Sequence, residues 1–284
     1  MTLATVTQRV FEADNKTVTD FANFIENIVI NDLGFTLVDN NAGSVSLITT
    51  TFQSSRVYSF QYNNFDKGTV YWRICYLESP PFVKLGFILY TSWNSVTKIG
   101  ASPSNITTNF LSPSSSDRIN LTNDGVNLFN IYDHPEAKII SNSTLTFGIV
   151  KPLFKSPYWS ENVALNAFGF YVPTNSVGIR LAPTVNAYFD GSVVLSLYPQ
   201  NRINANNFLQ RNPVTERYNL ISGPHIIGGS GNDKKGIVGS FSSDIVIGPC
   251  PGLNSIVQIT QQTTKYQFMN YNPNSPSLGV KIAD

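Results

Sequence analysis

The chain has 284 residues, is 42% hydrophobic and 12% aromatic, and carries a formal net charge of +1. Only 13% of its residues are charged, about half of the roughly 25% usual for soluble domains. The near-neutral balance gives no handle for nucleic acid or an anionic membrane, and 2 His with 2 Cys leave little for metal or nucleophilic chemistry.

The first nine residues (MTLATVTQR) have no basic segment followed by an apolar stretch, so no secretion signal is expected. No apolar run approaches the ~20 residues that cross a bilayer as a helix. Residues 17–33 then place Val18, Phe21, Phe24, Ile25, Ile28 and Val29 on one helical stripe. Thr17 with Asp20 reads as an acidic capping box, and Gly34 as the C-terminal stop.

Beyond Gly34 the hydrophobic period falls to two. The alternating sets are Phe35 and Leu37; Val45 and Leu47; Tyr58, Phe60 and Tyr62; Val70, Trp72, Ile74 and Tyr76; and Val83, Leu85, Phe87 and Leu89. Turn residues separate them at 39–43 (DNNAG), 63–68 (NNFDKG) and 78–81 (ESPP). Residues 1–100 are therefore expected to form a helix plus a β-meander. Cys75 falls in an apolar run and is expected as a buried thiol, whereas Cys250 sits in a turn between Pro249 and Pro251.

Residues 101–125 are a different material, rich in Ser, Asn, Thr and Pro, with Phe110 and Leu111 as the main apolar pair. They are expected as an extended linker or arm. Residues 126–284 are expected as a larger β domain. Strands are predicted at 139–140, 145–149, 163–172, 177–181, 185–189, 193–197, 245–247, 256–259, 266–269 and 278–282. Residues 199–236 form a loop-rich insertion. The expected fold class is mainly β with one N-terminal helix, an α+β arrangement of two antiparallel, sandwich-like β regions.

The chemistry-bearing candidates are thin. The segment 228–236 (GGSGNDKKG) has neither the Gly-Lys-Ser/Thr order of a phosphate loop nor a helical pattern after it, so an exposed hairpin or loop is the expectation. Ser230 lies outside a Gly-x-Ser-x-Gly elbow, and its only conceivable bases, His134 and His225, are read as loop residues. Paired carboxylates are the remaining catalytic option, drawn from Asp66, Glu78, Asp133, Glu136, Glu161, Asp190, Glu216 and Asp244. No cofactor, metal or catalytic residue is expected. Among the aromatics, Trp72 alternates with Val70 and Ile74 and is expected in the core. Trp93, Tyr158 and Trp159 lie near predicted loops, and with Phe110 and Leu111 they are the candidate contacts to a partner protein or a glycan.

A family resemblance attaches to six stretches. They are the helix containing Thr19, Asp20 and Phe21, then 33–37 (LGFTL) with the turn at Asp39, 70–74 (VYWRI), 166–173 (NAFGFYVP), 265–272 (KYQFMNYN) and 278–282 (LGVKI). In this order they resemble structural proteins of tailed-bacteriophage virions. The resemblance implies a non-enzymatic, homo-oligomeric component of the virion, assembled in the host cytoplasm. Its place is in the tail or baseplate, or else the neck or capsid, and its partners are other virion proteins and copies of itself. It carries over no catalytic or metal residue. The alternatives are a virion protein that binds a host receptor or host-surface glycan, and a carboxylate-based glycoside hydrolase.

Overall fold

The structure, a computed structural model, describes residues 3–12, 16–47, 50–61, 69–79, 82–101, 119–120, 126–142, 145–151, 154–155, 168–173, 180–182, 185–186, 192–193, 195–198, 221–222, 225–230, 233–240, 242–248, 256–258, 263–269 and 277–284. A strand, β1 (Thr5–Glu12), precedes the helix α1 (Val18–Asn27), which runs into a π-helical turn (Ile28–Asp32). There follow β2 (Thr36–Asp39), β3 (Val45–Leu47), β4 (Thr50–Phe52), β5 (Ser54–Gln61), β6 (Thr69–Ser79), β7 (Phe82–Tyr90), β8 (Ser92–Asn94) and β9 (Ile99–Ala101). The middle of the chain supplies β10 (Ile119–Asn120), β11 (Val126–His134), β12 (Ala137–Ser141), β13 (Leu145–Val150), β14 (Phe154–Lys155), β15 (Phe168–Pro173) and β16 (Arg180–Ala182). The remainder supplies β17 (Val185–Asn186), β18 (Ser192–Val193), β19 (Leu195–Tyr198), β20 (Ile221–Ser222), β21 (His225–Ser230), β22 (Asp233–Ser240), β23 (Ile245–Gly248), β24 (Ile256–Gln258), β25 (Lys265–Phe268) and β26 (Ser277–Ala283). The protein is mainly β, with a single α-helix among the described residues, near its N-terminus, as the hydrophobic periods predict.

The helix forms where the stripe requires it. Thr17 accepts the Asp20 N–H and Asp20 accepts the Thr17 N–H, closing both arms of the capping box. Val18, Phe21, Ala22 and Ile25 are buried on one side. The single α-helix expected over 17–33 is corrected in its last turn. Leu33 N–H reaches back five residues to the Ile28 carbonyl at 3.1 Å, a π-type closure that keeps Ile28, Val29 and Leu33 all in the core. Gly34 then takes φ +74°, and Phe35 N–H caps the Val29 carbonyl at 3.0 Å.

Two sheets make the main sandwich. One runs in the order β10-β7-β6-β5-β2, and the other in the order β1-β11-β12-β13-β15-β16. Trp72, Ile74, Leu85, Phe87 and Leu89 of the first sheet are buried, as are Phe129, Ile131, Ile140, Phe147 and Ile149 of the second. The faces meet through Phe87 and Phe147, stacked at 4.6 Å, with Trp72 at 6.1 Å from Phe147. Helix α1 closes one end, where Phe21 and Phe24 pack on Phe11 and Phe129 at 5.1 to 6.2 Å. Ile245, Met269, Leu278 and Val280 from the C-terminal strands join the same buried cluster.

Further expectations change. β1 was not foreseen, and it pairs along its whole length with β11, from Thr5 opposite Asp133 to Glu12 opposite Val126. The segment 1–100 thus contributes its first strand to the sheet built by residues 126–182. Part of the expected arm is a strand: β10 pairs Ile119 with Val83 and Asn120 with Phe82. The stretch 199–236, expected as loop-rich, holds β21 and the first half of β22, a hairpin that runs on to Ser240, and His225 opens a strand rather than lying in a loop. Leu145 to Ile149 and Tyr266 to Phe268 fall in strands as predicted. The strand predicted at 163–172 is found over its described part, in β15.

Candidate functional site

The far face of the β5-β6-β7 sheet carries the most organised polar cluster. Alternation along β6 turns Trp72 and Ile74 to the sandwich, which turns Arg73 and Cys75 to the opposite side. The β8–β9 hairpin and the loop at 42–44 lie by that side. Arg73 is 5% exposed. Its Nε donates to Ser55 Oγ at 2.9 Å and its Nη2 to the Ala42 carbonyl at 2.8 Å and the Gly43 carbonyl at 3.2 Å. Its guanidinium lies 5.3 Å from the centre of the Trp93 ring. The buried charge is thus matched by carbonyl dipoles and an aromatic face, a use suited to the flat, weakly hydrated guanidinium.

Asp39 stands on the other side of Trp93. Its Oδ2 accepts the Trp93 indole N–H at 3.1 Å, and both of its oxygens accept from Lys98 Nζ at 2.8 Å. It also accepts the Asn41 N–H at 3.1 Å. Burial pushes the Asp39 carboxyl up, but Lys98, the indole and the Asn41 N–H outweigh it and hold the group below the ordinary carboxylate range. Lys98 adopts φ +57°, in the left-handed region, at the end of the β8–β9 turn. The turn is closed by Asn94 Oδ1, which accepts from the Val96 and Thr97 N–H groups. Gly100 lies flat on the Tyr90 ring, where any Cβ would collide.

Trp93, expected as an exposed anchor, is half-buried and serves as the hub of this cluster, with Tyr90 at 5.4 Å. It fixes the base of a hairpin whose tip carries Val96, 89% exposed, and Ile99, 66% exposed. Phe110, Leu111, Tyr158 and Trp159 lie outside the described residues. Asp39, Arg73 and Lys98 were not singled out from the sequence. The available signal was Arg73 itself, a cation at an interior position of a strand with apolar residues on both faces.

The other exposed large apolar side chains among the described residues are Leu3 at 37%, Val10 at 50% and Leu128 at 39%. Val10 and Leu128 are direct cross-strand partners on β1 and β11. β1 is the outermost strand of its sheet. Ala4 N–H, just before it, bonds the Lys281 carbonyl at 3.1 Å.

His134, weighed as a triad base, is the last residue of β11 and 1% exposed. Its Nδ1 accepts the Glu136 N–H at 3.1 Å, which places the proton of the neutral ring on Nε2, 3.6 Å from Asp244 Oδ2. Ser230 lies on β21 opposite Asp233. The glycine-rich segment around it pairs strand with strand, Gly228 opposite Gly236 and Gly229 opposite Lys234. That is the hairpin alternative of the sequence reading, and it lacks the strand-to-helix turn a phosphate cradle uses. Of the weighed carboxylates, Asp133 pairs with Lys138, while Asp66, Glu161, Asp190 and Glu216 lie outside the described residues. Cys75 is a free, buried thiol, and burial pushes it up to about 12 despite the nearby Arg73, so it is an inert core group.

No family model matches this chain, and neither a curated protein nor a solved structure matches it.

Proposed function

We propose that the protein is a structural subunit that works by packing against copies of itself and neighbouring proteins, as a component of a tailed-phage virion, with tail or baseplate the favoured position. The observation that supports this reading most is the pattern of exposure. Among the described residues the most exposed large apolar side chains, Val96 and Ile99, sit on a hairpin braced at its base by the Asp39–Lys98 ion pair, the Trp93 indole and the buried Arg73. Rigid presentation of apolar side chains lowers the ordering cost of binding. No strand among the described residues pairs with the outer edge of β1, whose backbone groups another strand can pair. A charge-poor surface suits contact with protein neighbours, because interface centres are depleted of charge.

The test is co-purification. Expressed in its native context, the chain sediments with assembled particles and resists release by salt, since apolar contacts are not screened. Recovery only as a free, particle-independent monomer would remove the proposal.

A further inference from the structure

We infer that the β8–β9 hairpin is a lever latched to the body by the ionised Asp39 carboxylate, and that protonating this one group lets the hairpin swing out. Its role as a control on assembly rests on the reading above; the latch itself does not. The hairpin is lightly attached. It forms a two-stranded sheet of its own, and no residue from Ser92 to Ala101 is buried. Among the described residues its backbone hydrogen bonds stay within itself and its neck, where Thr91 N–H bonds the Ala101 carbonyl at 2.9 Å. Beyond the neck, Trp93 and Gly100 rest against Tyr90, and Trp93 also lies over Arg73. The polar ties are the Trp93 indole N–H and Lys98 Nζ, and both end on Asp39. A unit with so little buried apolar surface opens at lower cost than the sandwich.

Charge sets when it opens. Asp39 belongs to β2, its side chain is 3% exposed, and Lys98 is its ion-pair partner among the described residues. The other groups facing it there are the Trp93 indole and the Asn41 N–H, with Arg73 beyond the Trp93 ring. While Asp39 is ionised, swinging the hairpin out strands a carboxylate without its cation. Protonation removes that penalty. It also lets Lys98 leave the left-handed conformation at φ +57°, which a non-glycine residue keeps only where its surroundings hold it. Arg73 stays matched after opening, because Ser55 Oγ and the Ala42 and Gly43 carbonyls lie outside the hairpin. The folded Asp39 carboxyl lies below the ordinary range. The latch therefore holds above the unfolded value of about 4 and is released as pH falls through the folded one. Release takes Val96 and Ile99 out of their fixed place.

The test reads acrylamide quenching of tryptophan fluorescence in the full chain carrying Trp159→Phe. Trp72 is fully buried, so a change in quenching reports Trp93. Asp39→Asn at pH 7 is expected to red-shift the emission and raise the quenching, with the far-UV circular dichroism of the parent. Lys98→Gln, a change at a half-exposed side chain, is expected to do the same. Acid is expected to bring the parent chain to the quenching of Asp39→Asn, and to change that variant little. Quenching at pH 7 that neither substitution alters overturns the latch, as does an acid response of equal size in Asp39→Asn. Self-association is measured in parallel by sedimentation. Weaker self-association of Asp39→Asn supports the control of assembly. Oligomers of unchanged strength, with the hairpin released, overturn that control. A parent chain that is monomeric at every concentration overturns the assembly reading, while the quenching arm still decides the latch.

Discussion

Gly148 shows how tightly single residues are specified. It pairs with Ile139 across β12 and β13, and a Cβ at this position would run into the Lys138 carbonyl. Backbone cannot step aside as a flexible side chain can. Gly148→Ala is therefore expected to cost about 1–3 kcal/mol, the overpacking range, read as a lower urea midpoint with an unchanged slope. Asp39 gives a pH-dependent counterpart. Its folded carboxyl lies below the ordinary range, so its contribution is fully present above the unfolded value near 4 and is lost as pH falls through the folded one. Wild type and Asp39→Asn should thus differ most at pH 7 and converge towards pH 2 in urea titrations. The partner Lys98 is partly solvated, so the difference at neutral pH is modest, at about 1 kcal/mol or less for the ion pair. A gap that widens on acidification would contradict the ion-pair assignment.

Elements differ in how readable they were, for reasons particular residues expose. Helix α1 declared itself because its stripe, its Thr17–Asp20 cap and its Gly34 stop all agree. Thr17→Ala should cost about 1 kcal/mol, with loss of amide-exchange protection confined to the first turn of α1. The π-turn was hidden, since Ile28, Val29 and Leu33 fit a continued α-helix as well as a π-closure. β1 and β11 were missed for another reason. In β1, Phe11 is buried while Val10 beside it is exposed, so hydropathy alternates weakly along TVTQRVFE. In β11, Asn127, Asn130 and Asp133 interrupt the apolar residues, and Asn130 is buried because Gln8 of β1 donates to it at 2.9 Å. A buried polar residue with a partner on a distant strand looks like a loop residue in one dimension. The Trp93 cluster failed to show for the same reason. Asp39 and Lys98 are 59 positions apart in sequence, and no local pattern announces such a pair.

At the scale of the whole molecule, β1 is the tie. It begins the chain yet completes the sheet of β11, β12 and β13, and its Phe11 lies 5.2 Å from Phe21 of the helix. Phe11→Ala is expected to cost about 3–5 kcal/mol and to lower protection in β11 as well as α1. Loss restricted to α1 would mean that β1 is only an accessory strand. Among the described residues the same strand is the outermost of its sheet and carries the exposed Val10. The most direct test of assembly is sedimentation velocity of the purified wild-type chain over a wide concentration range, with electron micrographs of the fastest fraction. Concentration-dependent oligomers that appear as regular rings, tubes or filaments are expected. A single monomeric boundary at every concentration, with featureless micrographs, would contradict it.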